Sequence, residues 1–233
     1  MSLLDPQAAA ALGQSNAGDR MGQDLAAKAD EVVIFAAASE AFSQRNINCS
    51  IEESLERFAP VAQAAKEAGM RLRGSISCSF GCPYEGAVAP SNVLKVGKRL
   101  IELGCDEIDV ADTIGVGTAR QVYEVMRMVT EHIDPIHVSG HFHDTYGQAI
   151  ANIVASMQAG IHIFHSSVAG LGGCPYAKGA TGNVATEDLV WMLNGLGVET
   201  GVDLEKLVAT STWMAQQLGR PSPSAVVRAL GGA

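Results

Sequence analysis

From about residue 31 onward, short apolar runs alternate with stretches in which apolar residues recur at helical spacing. The runs are EVVIFAAAS, RLRGSISC, EIDVADTIG, HVSGHFHDT and IHIFHSSVAG, and each has the length and composition of a buried strand. Between the first two, Ile51, Leu55, Phe58, Ala62 and Ala65 fall on one helical face. Ser50 and Glu53 have the spacing of a capping box ahead of that face, and Gly69 stands where a helix would end. The next helical stretch repeats the scheme with Val93, Val96, Leu100 and Leu103 and stops at Gly104. Thr118 with Gln121 opens a third, and Gly160 closes a fourth. Strand followed by helix with short connections predicts parallel β/α units, and five in series predict an α/β fold of the (β/α)-barrel kind.

In such a barrel the chemistry lies at the C-terminal ends of the strands. Each apolar run here passes abruptly into polar or glycine-rich residues: SEAFSQRNINCS, SFGCPYEG, DTIGVGT, HFHDTYGQ and SSVAGLGGCPYAKGATGN. His141-Phe142-His143-Asp144 carries the strongest local signal. Residues two apart on a strand point to one face, so two imidazoles can grip one cation; Asp144 binds, orients or caps the next turn. His162 and His165 lack that geometry and read as structural. Asp112 is open between ligation, substrate contact and acceptance of hydrogen bonds from the glycine-rich turn behind it. Arg73 lies within an apolar run, so an inward-facing guanidinium there requires a carboxylate or phosphate partner.

Composition narrows the classes of function. The 233 residues are 47% hydrophobic, enough for a sizeable core, and carry a net charge of -9. With no long basic run, the chain is not built mainly to bind nucleic acid. No apolar run reaches membrane-spanning length, and the first residues show no basic segment ahead of an apolar core, so a cytoplasmic protein is expected. Five cysteines at 49, 78, 82, 105 and 174 suit reduced thiols better than a disulfide framework. Two of them, Cys82 and Cys174, sit in copies of the tetrapeptide GCPY. The first copy leads promptly into a helix and reads as a fixed loop. The second is embedded in GLGGCPYAKGATGN, a composition suited to a flap closing over a ligand, where a thiol can donate a proton.

Taken in order, SEAFSQRNINCSIEESLERF, GCPYEG, DTIGVGT, HFHDTYGQA and SSVAGLGGCPYAKGATGNVATEDLVWML resemble the 3-hydroxy-3-methylglutaryl-CoA lyase family over roughly residues 29–220. The resemblance implies a TIM (β/α)8-type barrel, here reduced to about five C-terminal β/α units. Residues 29–233 would form the partial barrel domain, and residues 1–28 a segment with no recognised counterpart. It implies cleavage of 3-hydroxy-3-methylglutaryl-CoA to acetyl-CoA and acetoacetate with a divalent cation, Mg2+ or Mn2+. The implied metal ligands are His141, His143 and Asn183; the implied catalytic groups are Cys174, His141 and Asp112. Arg73, Asn46, Ser50, Thr113 and Glu187 would bind substrate. An acyl-CoA is the expected partner, with no nucleic acid or membrane, and a homo-oligomer is left open. The Arg-Asp-Gly run of the family's first strand, a further metal ligand, has no match in this chain. Alternative readings are a non-catalytic barrel fragment that self-associates and a related aldolase or acyl-CoA synthase of the same barrel group.

Overall fold

A computed structural model describes residues 29–173 and 182–231. Its centre is a five-stranded parallel sheet in sequential order: β1 (Glu31–Ala37), β2 (Arg71–Ser77), β3 (Glu107–Asp112), β4 (Val138–Phe142) and β5 (Ile163–His165). The connecting helices are α1 (Glu40–Ile47), α2 (Ile51–Glu67), α3 (Pro90–Glu102), α4 (Ala119–Thr130) and α5 (Ala149–Gln158). After β5 the chain continues into α6 (Thr186–Gly195), α7 (Leu204–Leu218) and α8 (Ala225–Leu230). Sequential order in a parallel sheet is the arrangement of a barrel wall, so the predicted architecture holds: five strands of an arc backed by helices.

Local signals explain most boundaries. Ser50 accepts the Glu53 amide while the Glu53 carboxylate accepts the Ser50 amide, the reciprocal cap read from the sequence. Of the predicted face on α2, Leu55, Ala62 and Ala65 are buried, and Ile51 and Phe58 pack partly against the core. Gly104 turns α3 into β3 with φ +97, a conformation that a side chain would strain. At α4 the expected cap is not made: Thr118 forms no side-chain cap, and Gln121 instead donates to the Phe80 carbonyl across the loop. The last run proves mostly irregular, with only Ile163–His165 forming a strand of the sheet.

The two faces of the sheet differ sharply. Ile34, Leu72, Ile76, Ile108, Val110, Val138 and Phe142 lie in the hydrophobic core with Val93, Val96, Leu100, Val122, Met126 and Ile153 of the helices. Gly97 lets α3 approach, since a Cβ there would sit 3.0 Å from Ile108 Cδ1. The alternate positions form the inner face of the arc: Glu31, Arg71, Arg73, Ser75, Glu107, Asp109, Ser139, His141 and His165. Near the edge, Phe35 is 51% exposed on this face. No described helix is long and apolar enough to cross a membrane.

Ile108, fully buried between β3 and α3, is expected to cost about 2–5 kcal/mol on replacement by alanine. Denaturant melts of the Ile108→Ala chain, followed by circular dichroism, check this.

Candidate active site

The inner face is held together by charge. Arg73 is only 18% exposed; its Nη2 lies 3.0 Å from Glu31 Oε1, and its Nη1 is 3.6 Å from Asp109 Oδ2. The partners demanded by an inward guanidinium are therefore side chains of the neighbouring strands. Ser75 Oγ donates to Asp109 Oδ2 at 3.3 Å. On the same face, Glu107 Oε1 accepts Ser139 Oγ at 2.6 Å and lies 2.7 Å from His165 Nε2. Burial alone would raise the Glu107 pKa, but the contacts from His165 and Ser139 and the charge of Arg73 hold it down at about 2. The Arg73 Nη1 also sits 3.1 Å from both His165 ring nitrogens.

At the C-terminal end of β4, His141 and His143 come together as the spacing predicts, with ring centroids 5.5 Å apart. Asn183 is brought to them by backbone pairing. The Val184 amide donates to the Phe142 carbonyl at 2.9 Å, and the Asp144 amide donates to Gly182 O at 3.0 Å. On its other side the same segment accepts the Ser167 amide at Val184 O, 3.1 Å. Asn183 is thus clamped opposite His143, and its Nδ2 donates to Leu171 O at 2.8 Å. That bond leaves Oδ1 turned to His141 Nε2, 2.7 Å away. Gly182 is required here: it has φ +108, and a Cβ would lie 2.2 Å from the Gly170 carbonyl oxygen.

The two imidazoles have different electrostatics. Burial would lower the His141 pKa, but the Asp109 carboxylate and the Asn183 carbonyl outweigh it and raise it. His143 is pushed down to about 4 by burial and by its neighbour His141, so it is neutral near pH 7. Its buried Nδ1 has no hydrogen-bond partner. A neutral imidazole with an unused buried nitrogen, a second imidazole and an amide oxygen are donors suited to a divalent cation. No group of three or more His, Cys, Asp or Glu spaced to hold a metal occurs among the described residues, so a three-donor set at this position would need the amide oxygen of Asn183 beside the two imidazoles.

The other sequence candidates separate into groups. Asp112 is fully buried, and its carboxylate accepts the Val116 and Gly117 amides at 3.1 and 2.9 Å. It is committed to the loop, the hydrogen-bonding alternative read from the sequence; burial raises its pKa to about 6 against those amides. Glu187, also fully buried, accepts the Ala169 amide at 2.9 Å and holds Ala169 at φ +55. Thr113 Oγ1 accepts the Cys78 amide at 2.7 Å. Ser50 caps α2, and Asn46 is half-buried on α1. Asp144 accepts the Ala149 amide and so caps the start of α5. Cys82 is buried, takes a contact of 2.9 Å from Ser39 Oγ and closes a small backbone loop with Gly86, as expected of a structural cysteine. Cys174 lies outside the described residues.

Sequence reasoning passed over Glu31, Glu107, Asp109 and Ser139 and set His165 aside. The available signal was polar residues two apart within otherwise apolar runs, at Glu107 and Asp109 and at Ser139 and His141. His165 pairs in register with His141, ring centroids 6.1 Å apart.

An arc of parallel strands with two histidines and an asparagine at its C-terminal mouth defines a barrel-type α/β protein with a candidate cation site. Residues 6–214 match the HMGL-like family, and the chain belongs to it. It is 54% identical over 205 residues to the cytoplasmic 3-hydroxy-3-methylglutaryl-CoA lyase of Danio rerio, a stretch covering 88% of this chain and 61% of that protein. To the 3-hydroxy-3-isohexenylglutaryl-CoA/hydroxy-methylglutaryl-CoA lyase of Pseudomonas aeruginosa it is 56% identical over 200 residues, covering 86% of this chain and 67% of the relative. The fold superposes on a crystal structure of hydroxymethylglutaryl-CoA lyase from Pseudomonas aeruginosa with a TM-score of 0.87 and 54% identity, over 90% of this chain and 70% of that one. An HMG-CoA lyase from Acinetobacter baumannii, in complex with coenzyme A and 3-methylmalate, matches with a TM-score of 0.85 and 31% identity, over 90% of this chain and 68% of that one.

The low Glu107 pKa makes acid stability a test of the inner face. A carboxyl depressed to about 2 in the folded state contributes stability that is complete above its unfolded pKa of roughly 4.5 and fades as pH falls toward 2, on the order of 3 kcal/mol in all. Glu107→Gln is expected to lower the melting temperature at pH 7 and to flatten its decline between pH 5 and 2. A parallel pH profile in the variant and the native chain contradicts this role.

Proposed function

We propose that this chain carries the site of a metal-dependent carbon-carbon lyase that cleaves 3-hydroxy-3-methylglutaryl-CoA to acetyl-CoA and acetoacetate. The observation that carries the reading is the convergence of His141, His143 and the clamped Asn183 at the mouth of the arc. Membership of the family and more than half identity to proteins named for this cleavage support the substrate.

A divalent cation, Mg2+ or Mn2+, bound by these three residues would supply a Lewis acid that makes the C3 hydroxyl of the substrate more acidic. His141 is the proposed acceptor of that hydroxyl proton. One Nε2 cannot hold a cation and take a proton in the same step, so His141 serves as ligand or as base: as the base it would leave the cation to His143 and Asn183. As the C2–C3 bond breaks, its electron pair passes to the thioester as the enolate of acetyl-CoA, and C3 becomes the ketone of acetoacetate. Cys174, on the glycine-rich loop, is the proposed donor of the proton that quenches the enolate. Arg73 is held by Glu31 and Asp109, so in this proposal it sets the field of the inner face and meets substrate charge at the mouth. The proposed partner is an acyl-CoA, and the proposed location the cytoplasm, as for the relative of Danio rerio so named.

A second reading, self-association of the arc, draws on exposed Phe35 of β1 and the absence of any partner on the outer edge of β1 among the described residues.

Purified chain with Mn2+ or Mg2+ is expected to release acetoacetate from 3-hydroxy-3-methylglutaryl-CoA. Loss of the proposed thiol in Cys174→Ala is expected to lower kcat by about 100-fold or more, the low end of what a positioned proton donor contributes, with little change in Mn2+ affinity. Activity that survives the substitution unchanged removes the thiol from the chemistry. An inactive chain that gel filtration finds as a dimer or larger supports the second reading instead.

A further inference from the structure

Asp109 is a buried carboxylate whose contacts with Arg73 and Ser75 engage only one of its oxygens. It is 1% exposed in the middle of β3, and its Oδ1 is buried without a hydrogen-bond partner. Burial of that kind is costly unless a charge faces the group. Arg73 does not satisfy it fully: the guanidinium is nearer Glu31, at 3.0 Å, than Asp109, at 3.6 Å. Ser75 contributes one contact at 3.3 Å to Oδ2. What remains in front of Asp109 is His141, whose Nδ1 lies 3.3 Å from Oδ2. The contact is out of line for a hydrogen bond, and the Nδ1 has no other partner.

Sheet register makes the juxtaposition inevitable. Asp109 pairs with Ser139, and His141 stands two residues further along the same face of β4. The other side of the His141 ring, Nε2, is turned toward Asn183 Oδ1. The two edges of one imidazole are thereby assigned: a carboxylate at Nδ1 and the mouth at Nε2. His143 has no comparable carboxylate at its Nδ1; its place is set by backbone pairing with Asn183.

We propose that Asp109 is a positioning residue for His141, accepting its Nδ1–H and so presenting Nε2 to the cation site. This rests on the reading of His141 as a ligand. Carboxylates that orient a ligating histidine raise its basicity and fix its tautomer, and their loss typically costs 10- to 100-fold in metal affinity.

The test uses the full chain and Mn2+ as the probe. Two-bond 15N–1H correlation spectra of the metal-free, 15N-labelled chain report whether His141 Nδ1 carries a proton, and electron paramagnetic resonance titration reports Mn2+ affinity. Asp109→Asn is expected to shift the His141 ring-nitrogen signals and weaken Mn2+ binding by about 10- to 100-fold, with the His143 signals in place. Asp109→Ser provides a second variant should Asn unfold the chain, and Glu124→Gln, an exposed carboxylate on α4 paired with Arg120, is expected to leave both readouts unchanged. Native His141 signals and native Mn2+ affinity in Asp109→Asn overturn the proposal. Failure of the native chain to bind Mn2+ overturns the ligand reading instead, and the His141 spectra then still decide whether Asp109 orients the ring.

Discussion

Arg73 imposes the constraint on which the inner face depends. A guanidinium stays charged at any pH the fold survives, and on a strand buried on both sides it must find its counter-charges on adjacent strands. β1 supplies Glu31 and β3 supplies Asp109, each reached only because the parallel register brings the alternate positions of neighbouring strands side by side. The same alternation sends Ile34, Leu72, Ile76, Ile108 and Val110 to the helices. One period of two therefore builds a hydrophobic core on one face and a charged floor on the other.

The candidate site stands on that floor and borrows its polarity. His141 sits between the Asp109 carboxylate and the Asn183 carbonyl, which raise its pKa against burial, whereas His143 is buried beside it and kept neutral. Two histidines two residues apart thus acquire different chemistry from their surroundings. The third donor arrives from far along the chain, fixed by backbone hydrogen bonds to the end of β4 and by the space that Gly182 leaves beside the Gly170 carbonyl. The loop that follows β3 is stiffened by Asp112 and the turn that follows β5 by Glu187. Buried carboxylates that accept backbone amides brace the mouth from behind, and the groups that face it are imidazole and amide.

The sequence made the repeating unit legible because its helices carry clear periodicity and glycine stops, and because Ser50 and Glu53 can do little else at their spacing than cap. The paired histidines were legible for the same geometric reason. Asp109 and Glu107 were not, since a strand buried on both faces reads as one apolar run and its polar alternate residues look like interruptions. Asp112 and Glu187 sat at strand and helix ends where a carboxylate serves a ligand or a loop equally well, and only the positions of the neighbouring amides decide between the two. Thr118 and Gln121 had the letters of a cap, but Gln121 is drawn away by the Phe80 carbonyl, a long-range contact that local spacing cannot contain.

The central claim is that the end of β4 and the segment around Asn183 build one cation site from two imidazoles and an amide oxygen. X-ray absorption at the manganese edge of the Mn2+-loaded chain tests it most directly. The account predicts a first shell of nitrogen and oxygen with the outer-shell scattering of two imidazole rings, falling to one ring in His143→Ala. A shell of oxygen alone, or an imidazole signal unchanged by that substitution, would contradict it.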